Sequence, residues 1–436
     1  MSQPAPTPSP ASATSLDDRA DGGRRADSAV GVVGLGGVGL PLAAAYVEAG
    51  FSVVGHDRDA RRVRELAAGR DVLRHQALAA RLLASGRFFA TTDPERLSGC
   101  GAAFVCVPTP LGVSGFLDEE PLSSAVAALA GVLPRGALVV VESTLPPGGT
   151  RALVAGALVE AGRADLLVAH SPEREDPGAG RALRGVPKLV AGRDEASLRA
   201  VRALHERVFD SVVPTESLEV AEAAKLYENA YRSVNIALAN EFAAACGAMG
   251  LDARAVLDAA ATKPFGFQRF DPGPGMGGHC IPKDARLLAN AARAAGASAE
   301  LLELAARIHE RRPLQVVAEC AKRLDRPLAG AQVLLLGIAY KRDVDVTTHA
   351  PALVVARELA RAGARVGWHD PLLGADRVVE DHEGRALPRL ERLAAESLAT
   401  ADLVVVLTDH RCIDWDLVRE SARRVLDTRG ALRRGD

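Results

Sequence analysis

Short apolar runs of strand length alternate with amphipathic helical segments from about residue 29 to the end of the chain. This repeated order of strand, turn and helix is typical of α/β domains built on a parallel sheet. Residues 1–28 differ, because they are rich in Pro, Ser, Ala and charged residues and contain no apolar core region. That composition predicts a disordered tail and argues against a secretory signal.

The predicted strands fall into two groups on either side of a long helix. The first group begins at Val30 and continues at 52–55, 102–107, 138–142, 166–170 and 188–191. A periodic run over 217–249 predicts one extended helix, and Gly250 follows it as a stop signal. The second group lies at 332–336, 365–367, 401–408 and 424–427. We therefore expect two Rossmann-like doubly wound domains joined by a long central helix, divided as 29–213, 214–313 and 314–436.

The first predicted strand leads into a glycine-rich turn, which spans Gly34, Gly36 and Gly39, and then into a helical run. The next strand ends beside Asp57, roughly 20 residues beyond the turn. Glycines let a backbone approach a pyrophosphate at a helix N-terminus, and an acid at this spacing bonds ribose hydroxyls and repels a 2′-phosphate. The order predicts NAD binding, with a preference over NADP that the neighbouring Arg58 would weaken.

Two other strands of the first group end in small polar residues, Thr109 and Thr144. Ligands of open parallel sheets bind outside the carboxyl ends of the strands, so both threonines are candidates to face the cofactor. Ordinary turn chemistry beside Pro and Gly explains them equally well at this point.

The segment 273–284 carries the strongest sign of chemistry. Cys280 lies at the end of a glycine-rich loop, with Asp284 four residues on. Such a loop permits close approach of the backbone to a ligand, and its thiol can attack a bound carbonyl while the carboxylate handles protons. On the long helix, Lys225 and Asn229 lie four residues apart and share one face. The helix is also suited to pair with its counterpart in a homodimer.

Composition narrows the classes of function. The chain has 436 residues with 53 basic and 55 acidic side chains, and it lacks a basic block with interleaved aromatics, which argues against nucleic acid as a partner. The longest apolar runs are shorter than a membrane span. Six scattered cysteines indicate free thiols of a cytoplasmic protein, not a disulfide framework or a metal site.

Ordered motifs in this chain resemble those of the UDP-glucose/GDP-mannose dehydrogenase family, the NAD-dependent nucleotide-sugar 6-dehydrogenases. The resemblance covers about residues 29–427. Its motifs are the glycine turn 34–39, Val-Pro-Thr-Pro at 107–110, Glu-Ser-Thr at 142–144, Ser-Pro-Glu-Arg at 171–174, Lys225-x-x-x-Asn229, Gly-Gly-His-Cys-Ile-Pro-Lys-Asp at 277–284 and Gly-x-Ala-Tyr-Lys at 337–341. The family reaction oxidises a sugar CH2OH to a carboxylate with two molecules of NAD.

The resemblance implies catalytic roles that agree with the chemistry of these side chains. Lys225, Asn229 and a water held by Asp284 would accept the alcohol proton and stabilise the developing alkoxide. Cys280 would capture the aldehyde as a thiohemiacetal, whose oxidation gives a thioester. Glu173 would act as the base when water hydrolyses that thioester.

The resemblance also implies binding residues for NAD and for a UDP-sugar, and no metal. Cofactor contacts are expected at Gly34, Gly36, Val38, Gly39, Asp57, Arg62, Thr109, Thr144 and Lys283, and Thr144 would also position the hydrolytic water. Substrate contacts are expected at Glu173, Arg174, Lys225, Asn229, Arg269, Gly273, Gly277 and Lys341. Among these, Lys341 supplies a cation for the diphosphate.

Departures from the family pattern bear on cofactor and substrate. The family usually carries Asp-x-Arg-x-Ser-Pro after the lysine, whereas residues 346–351 read Val-Thr-Thr-His-Ala-Pro, so an arginine that would contact NAD is missing at Thr348. Arg174, Pro177 and the segment 262–267 resemble the N-acetylhexosamine branch, while 283–286 resembles the UDP-glucose branch. We expect oxidation of UDP-N-acetylglucosamine or its mannosamine epimer, with UDP-glucose as the alternative and GDP-mannose less favoured.

Two other classes of function remain to be separated. A two-electron β-hydroxyacid-type dehydrogenase shares the fold and the Lys-x-x-x-Asn helix, but it needs neither the loop thiol nor a second nucleotide domain. A non-catalytic sugar-nucleotide binder is compatible with the altered 346–350 segment. The retained Lys225, Asn229, Cys280 and Asp284 argue against it.

Overall fold

The computed structural model describes residues 29–71, 76–112, 115–175, 183–278 and 280–433, and it describes the backbone alone of Gln76 and Cys280. The predicted tail over 1–28 lies outside the described residues, as does Pro177.

An eight-stranded sheet forms the first domain. Its strands are β1 (Ala29–Val33), β2 (Val53–His56), β3 (Phe88–Thr91), β4 (Cys100–Val105), β5 (Leu138–Val141), β6 (Leu167–His170), β7 (Lys188–Gly192) and β8 (Val212–Pro214). They are ordered β3-β2-β1-β4-β5-β6-β7-β8, and β7 runs antiparallel to β6 while the other neighbours are parallel. Successive strands are added on one side of β1 up to β3 and on its other side from β4 onward. This change of order between β1 and β4 opens a crevice at their carboxyl ends.

Helices cover both faces of this sheet. They are α1 (Gly39–Glu48), α2 (Ala60–Ala67), α3 (Gln76–Ala84), α4 (Glu120–Val132), α5 (Ala157–Glu160), which continues a π-helical turn over Thr150–Gly156, and α6 (Glu195–His205). Residues of α1 and α6 form one core cluster with the sheet, and residues of α4 and α5 form another. The fully buried Leu-Val-Val-Val run of β5 is typical of a parallel strand covered on both sides.

Four helices form the central part of the molecule: α7 (Leu218–Ala248), α8 (Ala253–Ala260), α9 (Cys280–Ala294) and α10 (Glu300–Leu324). The predicted long helix is therefore present as α7. The Ser217 side chain caps it by accepting a hydrogen bond from Val220 N at 3.2 Å, and Gly250 follows its end with a φ of 71°. Among the described residues, no helix is both long and apolar enough to cross a bilayer.

A second, four-stranded parallel sheet forms the C-terminal domain. Its strands β9 (Gln332–Leu336), β10 (Arg365–His369), β11 (Leu403–Val406) and β12 (Val425–Asp427) are ordered β10-β9-β11-β12. Its helices are α11 (Pro351–Arg361), α12 (Ala395–Thr400) and α13 (Trp415–Ser421). The chain order again reverses beside the first strand, here between β9 and β11. The predicted fold class, two Rossmann-like domains joined by a long helix, is confirmed.

The structure differs from the sequence prediction at several boundaries. The strand predicted at 102–107 is β4, which ends at Val105, where its carbonyl accepts hydrogen bonds from both Glu142 N and Ser143 N. The prediction missed β3 and β8, because β3 is only partly buried and β8 is a three-residue edge strand that contains Pro214. Helix α10 runs through Pro313, the residue at which the central domain was expected to end.

Candidate active site

The glycine turn after β1 separates into two kinds of position. Gly34 has a φ of 90°, and a Cβ there would lie 2.7 Å from Cys106 O, while a Cβ on Gly39 would lie 1.8 Å from Gly34 O. These two glycines are required by the fold. Among the described residues, a Cβ on Gly37 would meet no atom within 4 Å, and one on Gly36 would meet only Arg62 Nη1 at 3.8 Å. Glycine at these two positions leaves room for a ligand rather than for the protein.

The N-terminus of α1 opens onto this room. Its first position follows Val38, which provides no side-chain cap. Uncapped N–H groups and the helix dipole favour an anion here, so the turn fits the pyrophosphate of a dinucleotide.

Asp57 lies at the end of β2, where a dinucleotide's ribose is expected. Its Oδ2 accepts a hydrogen bond from Leu35 N at 2.9 Å and lies 3.3 Å from Arg62 Nη1. The carboxylate therefore fixes the turn and keeps lone pairs for a ribose hydroxyl. Arg58 is directed to Glu120, at 3.4 Å on the surface, so it does not neutralise Asp57.

A chain of polar contacts connects the crevice to the helix that begins with Cys280. Lys283 Nζ donates to Thr109 Oγ1 at 3.1 Å and lies 3.4 Å from Asp284 Oδ1, while Asn229 Nδ2 donates to Asp284 Oδ2 at 2.6 Å. Thr109 follows β4, and Lys283 and Asp284 lie in the first turn of α9. These contacts therefore connect the carboxyl edge of the first sheet with α7 and with the start of α9.

Asp284 is the most buried residue in this series of polar contacts, and its surface is completely covered. Its Oδ1 accepts no hydrogen bond from the described residues. A buried carboxylate oxygen in this condition is suited to hold a water or a substrate hydroxyl. The side chain of Cys280 lies outside the described residues, although its backbone begins α9.

One face of α7 carries the polar residues of the site. Glu222, Lys225 and Asn229 are spaced by three and four residues, and all three are buried. The Glu222 carboxylate accepts from Gly148 N and Thr150 N, each at 2.6 Å, and burial raises its pKa. Glu222 thereby fixes the loop that follows Thr144, which is half-buried. The sequence analysis missed this residue, although its helical spacing from Lys225 and Asn229 is a usable signal.

The glycine loop ahead of Cys280 is held by α7 and α10 on one side and by residues 348–349 on the other. Gly273 N donates to Asn240 Oδ1 of α7 at 2.9 Å, and Gly273 O accepts from Arg312 Nε of α10 at the same distance. On the other side, Gly278 N donates to Thr348 O at 3.1 Å, and a Cβ on Gly277 would lie 2.8 Å from His349 O.

The segment that departs from the family pattern therefore supports the cysteine loop through its backbone. His349 holds a φ of 50°, a strained conformation for a residue with a side chain. The Thr348 side chain is exposed, and the contact it makes with the loop is through its carbonyl. Loss of an arginine at this position leaves this packing intact.

Residues 171–174 follow β6 at the carboxyl edge of the first sheet. Glu173 is half-buried. Arg174 is held by Glu228 of α7, with Nη2 2.5 Å from Oε1 and Nε 3.1 Å from Oε2, and its Nη1 donates to Pro187 O at 2.7 Å. This bidentate pair orients the segment toward α7. The Arg174 guanidinium thus has partners within the protein, and its expected contact with the substrate remains a prediction.

A buried polar network lies beneath that segment. Burial raises the pKa of Glu142 to about 7, an effect that the Lys188 ammonium opposes and the Glu173 carboxylate increases. His205 Nδ1 lies 2.6 Å from Tyr46 OH, and its Nε2 lies 3.0 Å from Ser171 Oγ. Burial raises the pKa of Tyr46 well above its usual value, so the phenol keeps its proton and donates to Nδ1.

The buried histidines of this domain predict acid sensitivity. Burial and the Lys188 charge lower the pKa of His170 to about 3, and they lower that of His205 well below its usual value. Below about pH 6.5 the unfolded chain protonates these rings while the folded chain does not, so stability falls as the pH drops toward 3. Between pH 7 and pH 5 we expect His170 alone to cost about 2 kcal/mol of unfolding free energy.

Urea unfolding at pH 7 and pH 5 measures this loss. His170→Asn keeps a group that can bond Thr150 but removes the titration, so the variant is expected to lose less stability over the same interval. Glu142 acts in the opposite direction, because its contribution to stability is lost as the pH rises through about 7. Equal losses in His170→Asn and in the parent would contradict the assignment to His170.

The C-terminal sheet uses a buried acid differently from Asp57. Asp370 follows β10, and its Oδ2 accepts from Ile338 N at 2.7 Å and Ala339 N at 2.9 Å. His410 Nε2 caps the same oxygen at 3.2 Å, and both side chains are completely buried. Asp343 N donates to His410 Nδ1 at 2.9 Å, so the ring carries its proton on Nε2 and donates it to Asp370.

Because Asp370 Oδ2 already accepts these three hydrogen bonds, it cannot accept another from a ribose hydroxyl. The same contacts fix the turn that carries Lys341. Gly337 has a φ of 79°, and a Cβ there would lie 2.2 Å from Thr408 O, so this glycine, like Gly34, is required by the fold. The expectation that Lys341 supplies a cation for a nucleotide diphosphate remains a prediction.

Arg269 belongs to a different cleft. Its Nη2 lies 2.9 Å from Asp271 Oδ1, and it also pairs with Asp258. The cleft has a volume of about 360 Å³ and is lined by Arg254, Asp258, Arg269, Asp271, Gly430 and Arg433. It lies between the central part and the C-terminal domain. The predicted substrate contact of Arg269 remains a prediction.

Comparisons with known proteins agree with this architecture. The chain matches three models of the UDP-glucose/GDP-mannose dehydrogenase family: the NAD binding domain over residues 28–209, the central domain over 219–311 and the UDP binding domain over 334–434. The UDP-N-acetyl-D-mannosamine dehydrogenase of Pyrococcus horikoshii is 31% identical over 422 residues, which cover 93% of this chain and 96% of that protein.

Two further proteins extend the comparison. The UDP-N-acetyl-D-glucosamine 6-dehydrogenase of Pseudomonas aeruginosa is 33% identical over 365 residues, covering 82% of this chain and 86% of that protein. The structure of a UDP-glucose dehydrogenase from Pyrobaculum islandicum matches with a TM-score of 0.82 at 27% identity, covering 95% of this chain and 98% of that one.

Proposed function

Since the chain belongs to the UDP-glucose/GDP-mannose dehydrogenase family and is an NAD-dependent nucleotide-sugar dehydrogenase, we propose that it oxidises C6 of a UDP-N-acetylhexosamine to the uronic acid through a thioester at Cys280. The observation that carries this proposal is the contact chain Thr109–Lys283–Asp284–Asn229. It joins the dinucleotide crevice to the first turn of the Cys280 helix, so both oxidations occur at one place.

The N-acetylhexosamine branch is the favoured substrate class. Relatives named for UDP-N-acetyl-D-mannosamine and UDP-N-acetyl-D-glucosamine are 31% and 33% identical to this chain. The order Glu173-Arg174 points the same way. UDP-glucose is the alternative to be tested beside them.

The first oxidation needs a proton acceptor and a stabiliser for the alkoxide. Asp284 has an open buried oxygen that can hold a water against the C6 hydroxyl, and Asn229 fixes the other oxygen. Lys225, buried on the same face of α7, supplies a positive charge for the alkoxide. NAD, when bound, accepts the hydride in each oxidation step.

The later steps depend on the Cys280 thiol and on the segment 171–174. Cys280 sulfur bonds to the aldehyde carbon, and the thiohemiacetal retains the C–H hydrogen that leaves in the second oxidation. The resulting thioester is hydrolysed by a water that Glu173 deprotonates and Thr144 positions. A reduced thiol is essential, which favours a cytoplasmic setting.

Stoichiometry tests this function. Purified protein, NAD and one UDP-sugar at a time are mixed, and NADH absorbance is compared with the uronic acid formed. Two NADH per UDP-N-acetylglucosamine or UDP-N-acetylmannosamine are expected, with slower use of UDP-glucose. One NADH with free aldehyde would favour a two-electron enzyme, and NAD binding without turnover of any UDP- or GDP-sugar would favour a non-catalytic binder.

A homodimer through α7 is the proposed assembly. Val220, Tyr227, Tyr231 and Leu238 are exposed apolar residues spaced by seven, four and seven positions, so they form one stripe along the helix. Tyr227 is 66% exposed and Leu238 60%. A stripe of about 27 Å, at 1.5 Å per residue, suits the same stripe of a second copy.

Charge placed on the stripe is expected to separate the subunits. Leu238→Glu buries an unpaired carboxylate in the proposed interface, so light scattering should show a shift from dimer to monomer at micromolar concentration. Val378→Glu is the matched control, since Val378 is equally exposed but lies in the C-terminal domain. A Leu238→Glu variant that remains dimeric would exclude this interface.

A further inference from the structure

A second pair of buried charges lies beneath Glu173, apart from the contact chain at Asp284. Glu142 follows β5 and Lys188 begins β7, and they are 1% and 3% exposed. Lys188 Nζ lies 2.5 Å from Glu142 Oε2. Removing two charges from water is costly, so a pair at this depth calls for a function or for strong structural compensation.

The strand that begins with Lys188 holds the Glu173 segment at consecutive residues. Lys188 Nζ donates to Pro172 O at 3.4 Å, and the neighbouring Leu189 O accepts from Ser171 Oγ at 2.8 Å. The residue before Lys188, Pro187, accepts from Arg174. Residues 187–189 therefore contact the segment on both sides of Glu173, through the Pro172 carbonyl and through the side chains of Ser171 and Arg174.

The pair also has an electrostatic connection to Glu173. Burial is the main cause of the raised pKa of Glu142; the Glu173 carboxylate adds to it, and the Lys188 ammonium opposes it. Glu142 Oε1 accepts no hydrogen bond from the described residues and lies 3.9 Å from His205 Nε2. Since His205 donates to Ser171, the Glu142 carboxylate depends on Lys188 for its charge balance.

We propose that Lys188, with Glu142 as its charge partner, is the positioning residue that aims Glu173 at the thioester for hydrolysis. This inference rests on the proposed function. In the step concerned, the oxygen of a water bonds to the thioester carbon while Glu173 takes its proton. The C–S bond then breaks, and sulfur leaves as the thiolate, which takes the proton back from Glu173. The sugar retains the new carboxylic acid, which releases its remaining proton to solvent.

Hydride transfer and hydrolysis can be separated in the experiment. In Lys188→Met and Glu142→Gln, stopped-flow NADH formation is followed in the first turnover and in the steady state, and the protein is examined by intact mass. We expect a first turnover of two NADH per site at nearly the parental rate, followed by a steady state about 100-fold slower. A mass increase corresponding to an acyl group on Cys280 should accumulate.

Conservative and structural controls accompany these variants. Lys188→Arg keeps the cation and should restore most of the hydrolysis rate. Tyr46→Phe removes a hydroxyl at the far end of the same buried network and should leave the ratio of the two phases unchanged. If Lys188→Met does not fold, the double variant Lys188→Met with Glu142→Gln removes both charges and is expected to show the same accumulation.

The outcomes distinguish this inference from the proposed function. Glu173→Gln should itself trap the acyl-enzyme if the thioester mechanism is correct. Trapping in Glu173→Gln but equal slowing of both phases in Lys188→Met would overturn the positioning role alone. Absence of any acyl-enzyme in Glu173→Gln, with one NADH per sugar, would overturn the proposed function first.

Discussion

Replacing Cys280 with alanine is expected to stop the reaction at the aldehyde. Uronic acid formation should fall by about 1,000-fold or more, because no other group in the site can form the thioester. The yield of NADH should fall from two to at most one per sugar. In the proposed mechanism the first oxidation uses Lys225, Asn229 and Asp284, so it should continue at a measurable rate.

Single-turnover absorbance and mass spectrometry of the sugar product measure these effects together. Cys412→Ala is the matched control, since Cys412 is an exposed free thiol in the C-terminal domain. Cys100, Cys106, Cys246 and Cys320 are buried, and burial raises the pKa of Cys100 and of Cys320 to about 12. Normal acid formation in Cys280→Ala would exclude the covalent mechanism, since these thiols cannot replace it.

The fold was predictable because its signals are local. Parallel strands covered on both sides require continuous apolar runs, and the turn after β1 requires glycine at Gly34 and Gly39 for steric reasons. The cap at Ser217 and the glycine at Gly250 define α7 without tertiary information. Short edge strands were missed because β8 has few residues and Pro214 weakens its pattern.

The site was predictable only where its residues occur in motifs. Asp284 and Asn229 were expected together, and they share a hydrogen bond. Lys188 and Glu228 could not be found in the same way, because their partners lie 46 and 54 residues away in sequence and a single charge on a strand or helix carries no local signal. Their roles become visible only when burial and partners are known.

The comparison of Asp57 with Asp370 shows why similar sequence patterns lead to different ligands. Both acids follow the second strand of a Rossmann-like unit and accept a backbone N–H from the turn after the first strand. At Asp370 a second N–H and the His410 ring occupy the same oxygen. A dinucleotide's ribose has no place there, which is consistent with the match of this region to a UDP binding domain.

Replacing Asp284 with asparagine is expected to lower kcat/KM for the first oxidation by about 1,000-fold, within the range for loss of a general base and its charge. The substitution removes the negative charge opposite Lys283, and it sets an amide against the Asn229 amide that donates to this position. The new amide oxygen can still accept from Asn229 Nδ2, and the new NH2 group then lies beside the Lys283 ammonium. Glu310→Gln, in an exposed ion pair of α10 with Arg286, serves as the control.

The pH profile separates a proton-transfer role from a purely structural one. If Asp284 holds the water that accepts the alcohol proton, the variant should recover part of its activity as the pH rises, because hydroxide replaces the missing base. A structural role would lower the rate by the same factor at every pH, together with weaker binding of both ligands. Parallel profiles for Asp284→Asn and the parent would therefore argue against Asp284 as the holder of that water, and would leave Lys225, buried on the same face of α7 as Asn229, as the candidate base.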